Sequence, residues 1–207
     1  MKYKIGFLDE DDQQRIDFQK AFEDQFDIDI IDDIDAIQSV ETLRIYVNEA
    51  QLDALVVDYL LSGTGELSYN GNEVVAEMAK NRKYFPVAIL TGKETDAIAK
   101  TEDVFVVNGK QLITEPDQLH TFKVKLTQAI INYRKKVASV EEETAMLENK
   151  QKETPLSSKE EDRLAELHIE LRAIDPEAHP LPATLLQTDI VRQLTELVKN
   201  SREILKK

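Results

Sequence analysis

The sequence LDALVVDYLLSG, residues 52–63, indicates the type of fold. Its core, Ala54–Val57, is a run of consecutive apolar residues that stops abruptly at Asp58. An apolar run without polar alternation is typical of a strand that is covered on both faces of a parallel sheet. Because ligands of open α/β sheets gather beyond the carboxyl ends of the strands, an acid at this point is a candidate functional residue.

Four more short apolar runs have the same character, and segments with helical spacing of apolar residues separate them. The predicted strands are Tyr3–Leu8, Ile28–Ile31, Ala54–Val57, Val87–Leu90 and Val104–Val107. The predicted helices lie around residues 16–26, 40–47, 74–79 and 93–100, and a fifth opens near Pro116. Five repeats of a strand followed by a helix predict an α/β fold with a doubly wound, five-stranded parallel sheet and right-handed crossovers.

The part of the chain after residue 110 contains no glycine, which is typical of long helices without tight turns. From Leu126 to Leu147, apolar residues recur at alternating steps of four and three, with Thr144 as the exception. This heptad pattern predicts that the last helix of the sheet domain continues to about residue 150.

Two more amphipathic helices are predicted, at about 158–175 and 183–206. The first can begin with a capping box, for which the candidates are Ser157 or Ser158 together with Glu160 or Glu161. Since no further sheet is available to cover them, the apolar stripes of these helices must be buried against each other or against a second chain.

These patterns divide the chain into two predicted domains. Residues 1–136 form the α/β domain, and residues 137–207 form an all-helical extension, expected to be a coiled coil or a helical hairpin. Apolar helical stripes beside an acidic domain favour a homodimer that is held together by the helices.

Composition narrows the classes of function. The 207-residue chain has no cysteine, which excludes disulfides, zinc–thiolate sites and cysteine catalysis. Its 40 acidic residues exceed its 26 basic ones, giving a formal net charge of −14, so direct nucleic-acid binding is not expected. No apolar run approaches the roughly 18 to 20 residues of a membrane span, and we therefore expect a soluble cytoplasmic protein.

Polar residues follow the apolar runs of four predicted strands at their carboxyl ends: Asp9 and Glu10, Asp58, Thr91, and Lys110. In a parallel sheet these ends meet at one edge, so carboxylates, a hydroxyl and an ammonium are expected to converge there. Neighbouring carboxylates repel each other and favour a hard cation such as Mg²⁺. Asp58 can then attack phosphorus to form an acyl phosphate, while Lys110 and Thr91 bind phosphoryl oxygens.

The motifs KIGFLDEDDQQR, LDALVVDYLLSG, PVAILTGK and DVFVVNGK, in this order, resemble the receiver domain of two-component response regulators over residues 1–136. The resemblance implies a flavodoxin-like receiver fold. It also implies a role for each site residue: Asp58 as the phosphoacceptor, Thr91 as the switch hydroxyl, Lys110 as the invariant lysine, and Asp9, Glu10, Asp58 and the backbone carbonyl of Leu60 as ligands of Mg²⁺.

The function expected from this resemblance is that of a signalling switch. A histidine kinase or a phosphotransfer protein donates the phosphoryl group to Asp58. The helical extension then signals by protein–protein interaction with a target or by dimerisation. The chain is expected to act as a phosphoacceptor, not as an enzyme that turns over a substrate.

The chain departs from the usual pattern of the family at several positions. The segment Leu61–Gly63, followed by a longer loop, replaces a Met-Pro-like pair, and Val107 stands where an aromatic switch residue is usual. The short stretch between Thr91 and Lys110 predicts a short fourth helix. Leu60 is apolar at a position that influences attack by water on the acyl phosphate, so we expect slow self-dephosphorylation.

Three other interpretations stay open at this point. Haloacid-dehalogenase-like phosphatases also use a strand-end aspartate with Thr, Lys and Mg²⁺, but they normally carry a second acid two residues later, where this chain has Leu60. A degenerate receiver that serves as a scaffold is the second interpretation, and a phosphorelay intermediate or phosphate sink is the third. His168, next to acids on a predicted helix, faintly resembles a phosphotransfer histidine and is as easily a surface residue.

Overall fold

The computed structural model describes residues 2–180 and 182, so the predicted helix 183–206 lies outside the described residues. The contacts within the chain divide it into two compact units, Met1–Lys136 and Val137–Lys207. Within the described residues, none of the helices combines the length and the apolar character needed to cross a membrane.

The first unit is built on five strands: β1 (Lys4–Leu8), β2 (Asp27–Ile30), β3 (Ala54–Val57), β4 (Val87–Thr91) and β5 (Val107–Gly109). All four neighbouring pairs are parallel, and the order across the sheet is β2-β1-β3-β4-β5. The predicted α/β architecture with five parallel strands is thereby confirmed.

The described residues form the helices α1 (Asp12–Phe22), α2 (Val40–Glu49), α3 (Gly71–Asn81), α4 (Glu94–Lys100), α5 (Pro116–Glu153) and α6 (Ser158–Ile174). Short 3-10 turns occupy Ile34–Ile37, Val104–Val106 and Lys110–Thr114. Helix α4 has only 7 residues, as the short stretch before Lys110 predicts, and α5 has 38 residues, which confirms the predicted long helix.

Two hydrophobic cores lie on opposite faces of the sheet, because successive side chains of a strand point to opposite sides. Leu55 and Val57 of β3 pack in one core with side chains of α2 and α3. Ala54 and Val56 pack in the other with the stacked aromatic rings of α1 and with the first part of α5. This double covering explains why the apolar run of β3 has no polar alternation.

The predicted fifth strand, Val104–Val107, is wrong in its bounds. The side chain of Asp103 accepts a hydrogen bond from the Phe105 amide at 3.1 Å, which turns Val104–Val106 into a 3-10 helix and leaves Phe105 91% exposed. Strand pairing begins only at Val107, which lies opposite Ile89 of β4. An apolar run alone did not reveal this cap, because a side chain that bonds the local backbone competes with the sheet.

The first predicted helix is also displaced. Helix α1 ends at Phe22, so Phe26 enters the core from the turn before β2 and not from the helix. Ile16, which the helical spacing assigns to the apolar face, is 45% exposed. The phenylalanines Phe18 and Phe22 are the side chains of α1 that are fully buried.

In the second unit, ion pairs join α6 to the part of α5 that follows Val137. Lys150 Nζ lies 2.5 Å from Glu160 Oε1, and Arg163 Nη2 lies 2.6 Å from Glu143 Oε2. The apolar stripes of the two helices are buried within the single chain: Val140, Leu147, Leu164, Leu167, Leu171 and Ile174. Thr144 interrupts the stripe as predicted, and its hydroxyl is satisfied by donating to the Val140 carbonyl at 2.8 Å.

The start of α6 resolves the alternatives for its cap. The Glu160 carboxylate accepts hydrogen bonds from the Ser157 amide at 3.0 Å and from the Ser157 hydroxyl at 2.8 Å. The hydrogen bond from Lys150, together with those from Ser157, lowers the pKa of Glu160 to about 2. Ser157 and Glu160 are therefore the capping pair.

Gly71 allows the first turn of α3 to lie against the backbone that carries Asp58. A Cβ atom built at Gly71 would lie 2.4 Å from the Asp58 carbonyl oxygen and 3.1 Å from the Tyr59 Cα atom. We expect Gly71→Ala to lower the free energy of unfolding by about 1–3 kcal/mol, since backbone atoms must move to admit the methyl group. Urea unfolding followed by circular dichroism measures this change.

Gly92→Ala is the matched control, because a Cβ at Gly92 meets no atom within 4 Å. Its unfolding midpoint should stay close to that of the unmodified chain. Equal midpoints for the two alanine variants would contradict the close approach at Gly71.

Candidate functional site

Two aspartates lie side by side where the order of the strands reverses. Leu8 at the end of β1 pairs with Val57 at the end of β3, and Asp9 and Asp58 are the residues that follow them. The Asp58 amide donates to the Leu8 carbonyl at 2.8 Å, so the pairing of β1 with β3 continues up to Asp58. A reversal of strand order at the carboxyl edge is where ligands of doubly wound sheets bind.

Lys110 joins these two acids. Its ammonium nitrogen lies 2.7 Å from Asp9 Oδ2 and 3.1 Å from Asp58 Oδ1. Asp9 is 1% exposed and Asp58 is 6% exposed, so the charges are withdrawn from bulk water. Asp9, Asp58 and Lys110, predicted from three separate strand ends, therefore form one cluster with two carboxylates and one ammonium.

Burial raises the pKa of the Asp9 carboxyl, and the hydrogen bond and charge of Lys110 offset this only in part. Burial alone would lower the pKa of Lys110, but the hydrogen bond to Asp9 and the charge of Asp58 outweigh it, so the pKa of Lys110 is raised. The site therefore favours the charged form of Lys110. Ionised Asp9, in contrast, lowers the free energy of unfolding, because its charge is buried.

The second oxygen of each aspartate is fixed by a backbone amide. Asp9 Oδ1 accepts a hydrogen bond from the Asp11 amide at 3.0 Å, and Asp58 Oδ2 accepts one from the Leu60 amide at 3.0 Å. Each carboxylate thus has one oxygen toward Lys110 and the other toward its own chain. The orientation of both groups is set before any ligand arrives.

Thr91 lies at the same edge of the sheet and is 1% exposed. It ends β4 and pairs with Gly109 of β5, the residue that precedes Lys110. Its hydroxyl oxygen accepts a hydrogen bond from the Lys93 amide at 3.1 Å. Because a hydroxyl has one proton to donate besides its lone pairs, this contact leaves Thr91 able to act as a donor.

Glu10 is not joined to the cluster, in contrast to the placement expected from the sequence. Its Oε2 atom accepts a hydrogen bond from the Thr64 amide at 2.9 Å. A Cβ atom built at Gly63 would lie 2.5 Å from Glu10 Oε1, which shows how closely the carboxylate lies against this glycine. The side chain therefore holds the loop between β3 and α3.

The Lys110 cluster contains two carboxylates, those of Asp9 and Asp58, and the Glu10 carboxylate lies outside it. Among the described residues, no group of three or more acidic or histidine side chains is placed to hold a metal ion. Asp9 and Asp58 do fit Mg²⁺, which is commonly bound by one or two carboxylates, with waters and phosphate oxygens completing its shell. The described contact of Leu60 with this pair is the amide that it donates to Asp58.

Asn70 is a structural residue of the site that the sequence reasoning missed. Its Oδ1 atom accepts hydrogen bonds from the Leu61 amide at 3.1 Å, the Ser62 amide at 3.2 Å and the Ser62 hydroxyl at 3.0 Å. The available signal was its position just before a helix start, where asparagine is favoured. That signal predicts a cap and does not reveal the bonds across the loop.

We expect Asp9→Asn to raise the urea midpoint of unfolding near neutral pH in metal-free buffer. The folded state raises the pKa of Asp9 above its usual 3.8, so folding binds a proton more tightly than the unfolded chain does. The contribution of Asp9 to stability is therefore lost as the pH rises through the folded pKa. The gain of the variant should shrink as the pH falls toward about 4, where protonated Asp9 resembles asparagine. A variant that is less stable at neutral pH would show that the ion pair with Lys110 dominates.

Comparisons with known proteins add little to this geometry. No protein-family model matches the chain, and no curated protein matches it. One similar solved structure is a fusion that contains the trimeric coiled coil of yeast Spc42, amino acids 181–211. It is 15% identical in sequence, the alignment covers 72% of this chain and 96% of that chain, and the TM-score is 0.44. At this TM-score the likeness carries no argument about fold or function.

Proposed function

We propose that the chain is a phosphoacceptor switch, a response-regulator receiver domain followed by a helical extension. The observation that carries the proposal is the Asp9–Lys110–Asp58 cluster at the point where the strand order reverses. The order β2-β1-β3-β4-β5 supports a flavodoxin-like fold, in which the ligand site lies between β1 and β3. The proposed phosphoacceptor is Asp58.

In the proposed reaction, a carboxylate oxygen of Asp58 attacks the phosphorus of a phosphohistidine on a kinase or phosphotransfer protein. An O–P bond forms while the N–P bond breaks, and the electron pair of that bond returns to the imidazole nitrogen, which takes up a proton. The product is an acyl phosphate on Asp58. The ammonium of Lys110 and the hydroxyl of Thr91 stabilise the new charge on the phosphoryl oxygens.

Asp9 and Asp58 are the residues that would hold Mg²⁺, which would offset the negative charge of the incoming phosphoryl group. Without a cation, two carboxylates and one ammonium leave the cluster with an excess of negative charge. That excess repels a phosphoryl donor. The fixed orientation of both aspartates by backbone amides supports binding of a cation between them.

The competing interpretations differ in the fate of a phosphoryl group. A haloacid-dehalogenase-like phosphatase needs a second acid two residues after the nucleophile, and Leu60 has no acidic group. A scaffold would keep the fold without accepting a phosphoryl group. A phosphorelay intermediate would pass the group to a further protein.

We expect the chain to gain one phosphoryl group when it is incubated with Mg²⁺ and acetyl phosphate, as measured by intact mass spectrometry. Asp58→Asn should abolish the gain, because the amide is not nucleophilic. Asp12→Asn is the matched control, since it removes an acid at the same end of the sheet that is 85% exposed and pairs with Arg15. That variant should be phosphorylated normally.

Failure of the unmodified chain to gain mass, with acetyl phosphate and also with a phosphorylated histidine kinase, would leave the scaffold interpretation. Release of inorganic phosphate from a phosphate monoester would favour the phosphatase instead. Circular dichroism of each variant shows whether the fold has been kept.

The output is proposed to be protein–protein interaction through the helical extension, with a second copy of the chain as the partner. The stripes of α5 and α6 are already buried within one chain, so a dimer must use other side chains. Met146 and Ile169, which are 62% and 54% exposed, are the large apolar side chains that the described part of the extension presents to solvent.

We expect the chain to form a dimer in light-scattering measurements, and the double variant Met146→Gln and Ile169→Gln to shift it toward the monomer. Removing apolar surface from an interface weakens association. Ile16→Gln is the control, because Ile16 is 45% exposed on α1 of the first unit. A monomeric mass for the unmodified chain over the whole concentration range would contradict dimerisation.

A further inference from the structure

We infer that Glu10 acts as a latch on the loop between β3 and α3. It binds the loop when the site is free of cation, and it releases the loop when a cation binds at Asp9 and Asp58. The inference rests on the proposed function for the cation itself. According to this inference, the position of Glu10 depends on whether a cation is bound at Asp9 and Asp58. The surface that changes on binding is the tip of the loop, residues 63–66.

The latch is built from contacts on both sides of the Glu10 carboxylate. One oxygen accepts a hydrogen bond from the Thr64 amide at 2.9 Å. The other lies so close to Gly63 that a side chain there would overlap with it, since a Cβ atom would be only 2.5 Å away. A glycine therefore makes room for the carboxylate, and a backbone amide holds it.

The rest of the loop is anchored independently of Glu10. Leu61, Leu67 and Tyr69 are buried, and the Tyr69 hydroxyl donates to the Ile37 carbonyl at 2.8 Å. Asn70 fixes Leu61 and Ser62 through three hydrogen bonds. Residues 63–66 are exposed, so release of Glu10 would free the tip and leave the base of the loop in place.

Glu10 is a direct neighbour of one of the two proposed cation ligands. It follows Asp9 directly in the chain, and Asp9, Glu10 and Thr64 line the same small cavity beneath the loop. A divalent cation shared by Asp9 and Asp58 attracts a third carboxylate, whereas the Thr64 amide offers one hydrogen bond at an exposed position. The Glu10 carboxylate lies against Gly63 and the Thr64 amide and outside the Lys110 cluster, so it has to turn away from the Thr64 amide to bind the cation, and binding of the cation and closure of the loop therefore compete.

Hydrogen exchange of the full chain, read by mass spectrometry over peptides that contain residues 62–68, tests the latch. In buffer with a chelator, exchange of the Thr64 amide should be slow. With Mg²⁺ it should become roughly tenfold faster or more, since a hydrogen bond to a charged group is lost. Glu10→Ala should exchange fast in both buffers. Glu66→Ala, which removes an exposed acid from the same loop, should keep the dependence on Mg²⁺.

A second variant separates the latch from a merely structural role of Glu10. Gly63→Ala keeps the acid but pushes its flexible end away from the loop. It should free the tip as Glu10→Ala does, yet raise the affinity for Mg²⁺ by up to about tenfold, since the carboxylate no longer has to leave a partner. Glu10→Ala should not raise that affinity. Equal Mg²⁺ affinities for Gly63→Ala and the unmodified chain would overturn the competition.

Binding of Mg²⁺ is followed independently by nuclear magnetic resonance of the Asp11 and Leu60 amides, which donate to the carboxylates of Asp9 and Asp58. If these amides respond and exchange at Thr64 does not change, the latch is overturned and the proposed cation site stands. If neither responds, the proposed cation site fails and the latch fails with it. Slow exchange at Thr64 in Glu10→Ala would overturn the anchoring role directly.

Discussion

Two buried carboxylates, those of Asp9 and Asp58, share the ammonium of Lys110 at the carboxyl edge of the sheet. The strands and turns around them hold these three charged groups in place. Charges withdrawn from water have to be paired and held in place. Strand pairing brings Asp9 next to Asp58, and the backbone amides of Asp11 and Leu60 fix their outer oxygens. Lys110 reaches them because β5, although only three residues long, ends beside Thr91. Two carboxylates on one ammonium leave an excess of negative charge, and holding this charge away from water lowers stability.

The loop between β3 and α3 is the second element that depends on this edge. Loops of this length without regular structure usually have a function of their own. Here Asn70 organises the base of the loop, and Glu10 reaches across from the end of β1 to hold its tip. The first turn of α3 lies against the Asp58 backbone at Gly71, so a displacement of the helix or the loop also affects Asp58.

This connection bears on how other proteins would recognise the proposed phosphorylated state. Val107 is a half-buried side chain packed against the core, so no aromatic ring is available at that position to move with Thr91. Helix α4, which follows Thr91, has only 7 residues and offers little surface. The proposed release of Glu10 offers a different route, in which a partner protein recognises the conformation of the loop between β3 and α3.

Sequence patterns were enough to predict the α/β class, the parallel sheet, the long helix and the cluster of Asp9, Asp58 and Lys110. These features follow from local rules, because apolar runs report burial on both faces and parallel strands end at a common edge. The orientation of Glu10 became visible only in the folded chain, since its partner Thr64 lies 54 residues away and no local pattern predicts that contact. The same holds for the cap at Asp103 that shortens the fifth strand, and for closure of the helical stripes within one chain. The direction of a side chain depends on neighbours that are distant in the sequence. Burial of a segment and its helix or strand periodicity, in contrast, can be inferred from the local order of apolar and polar residues.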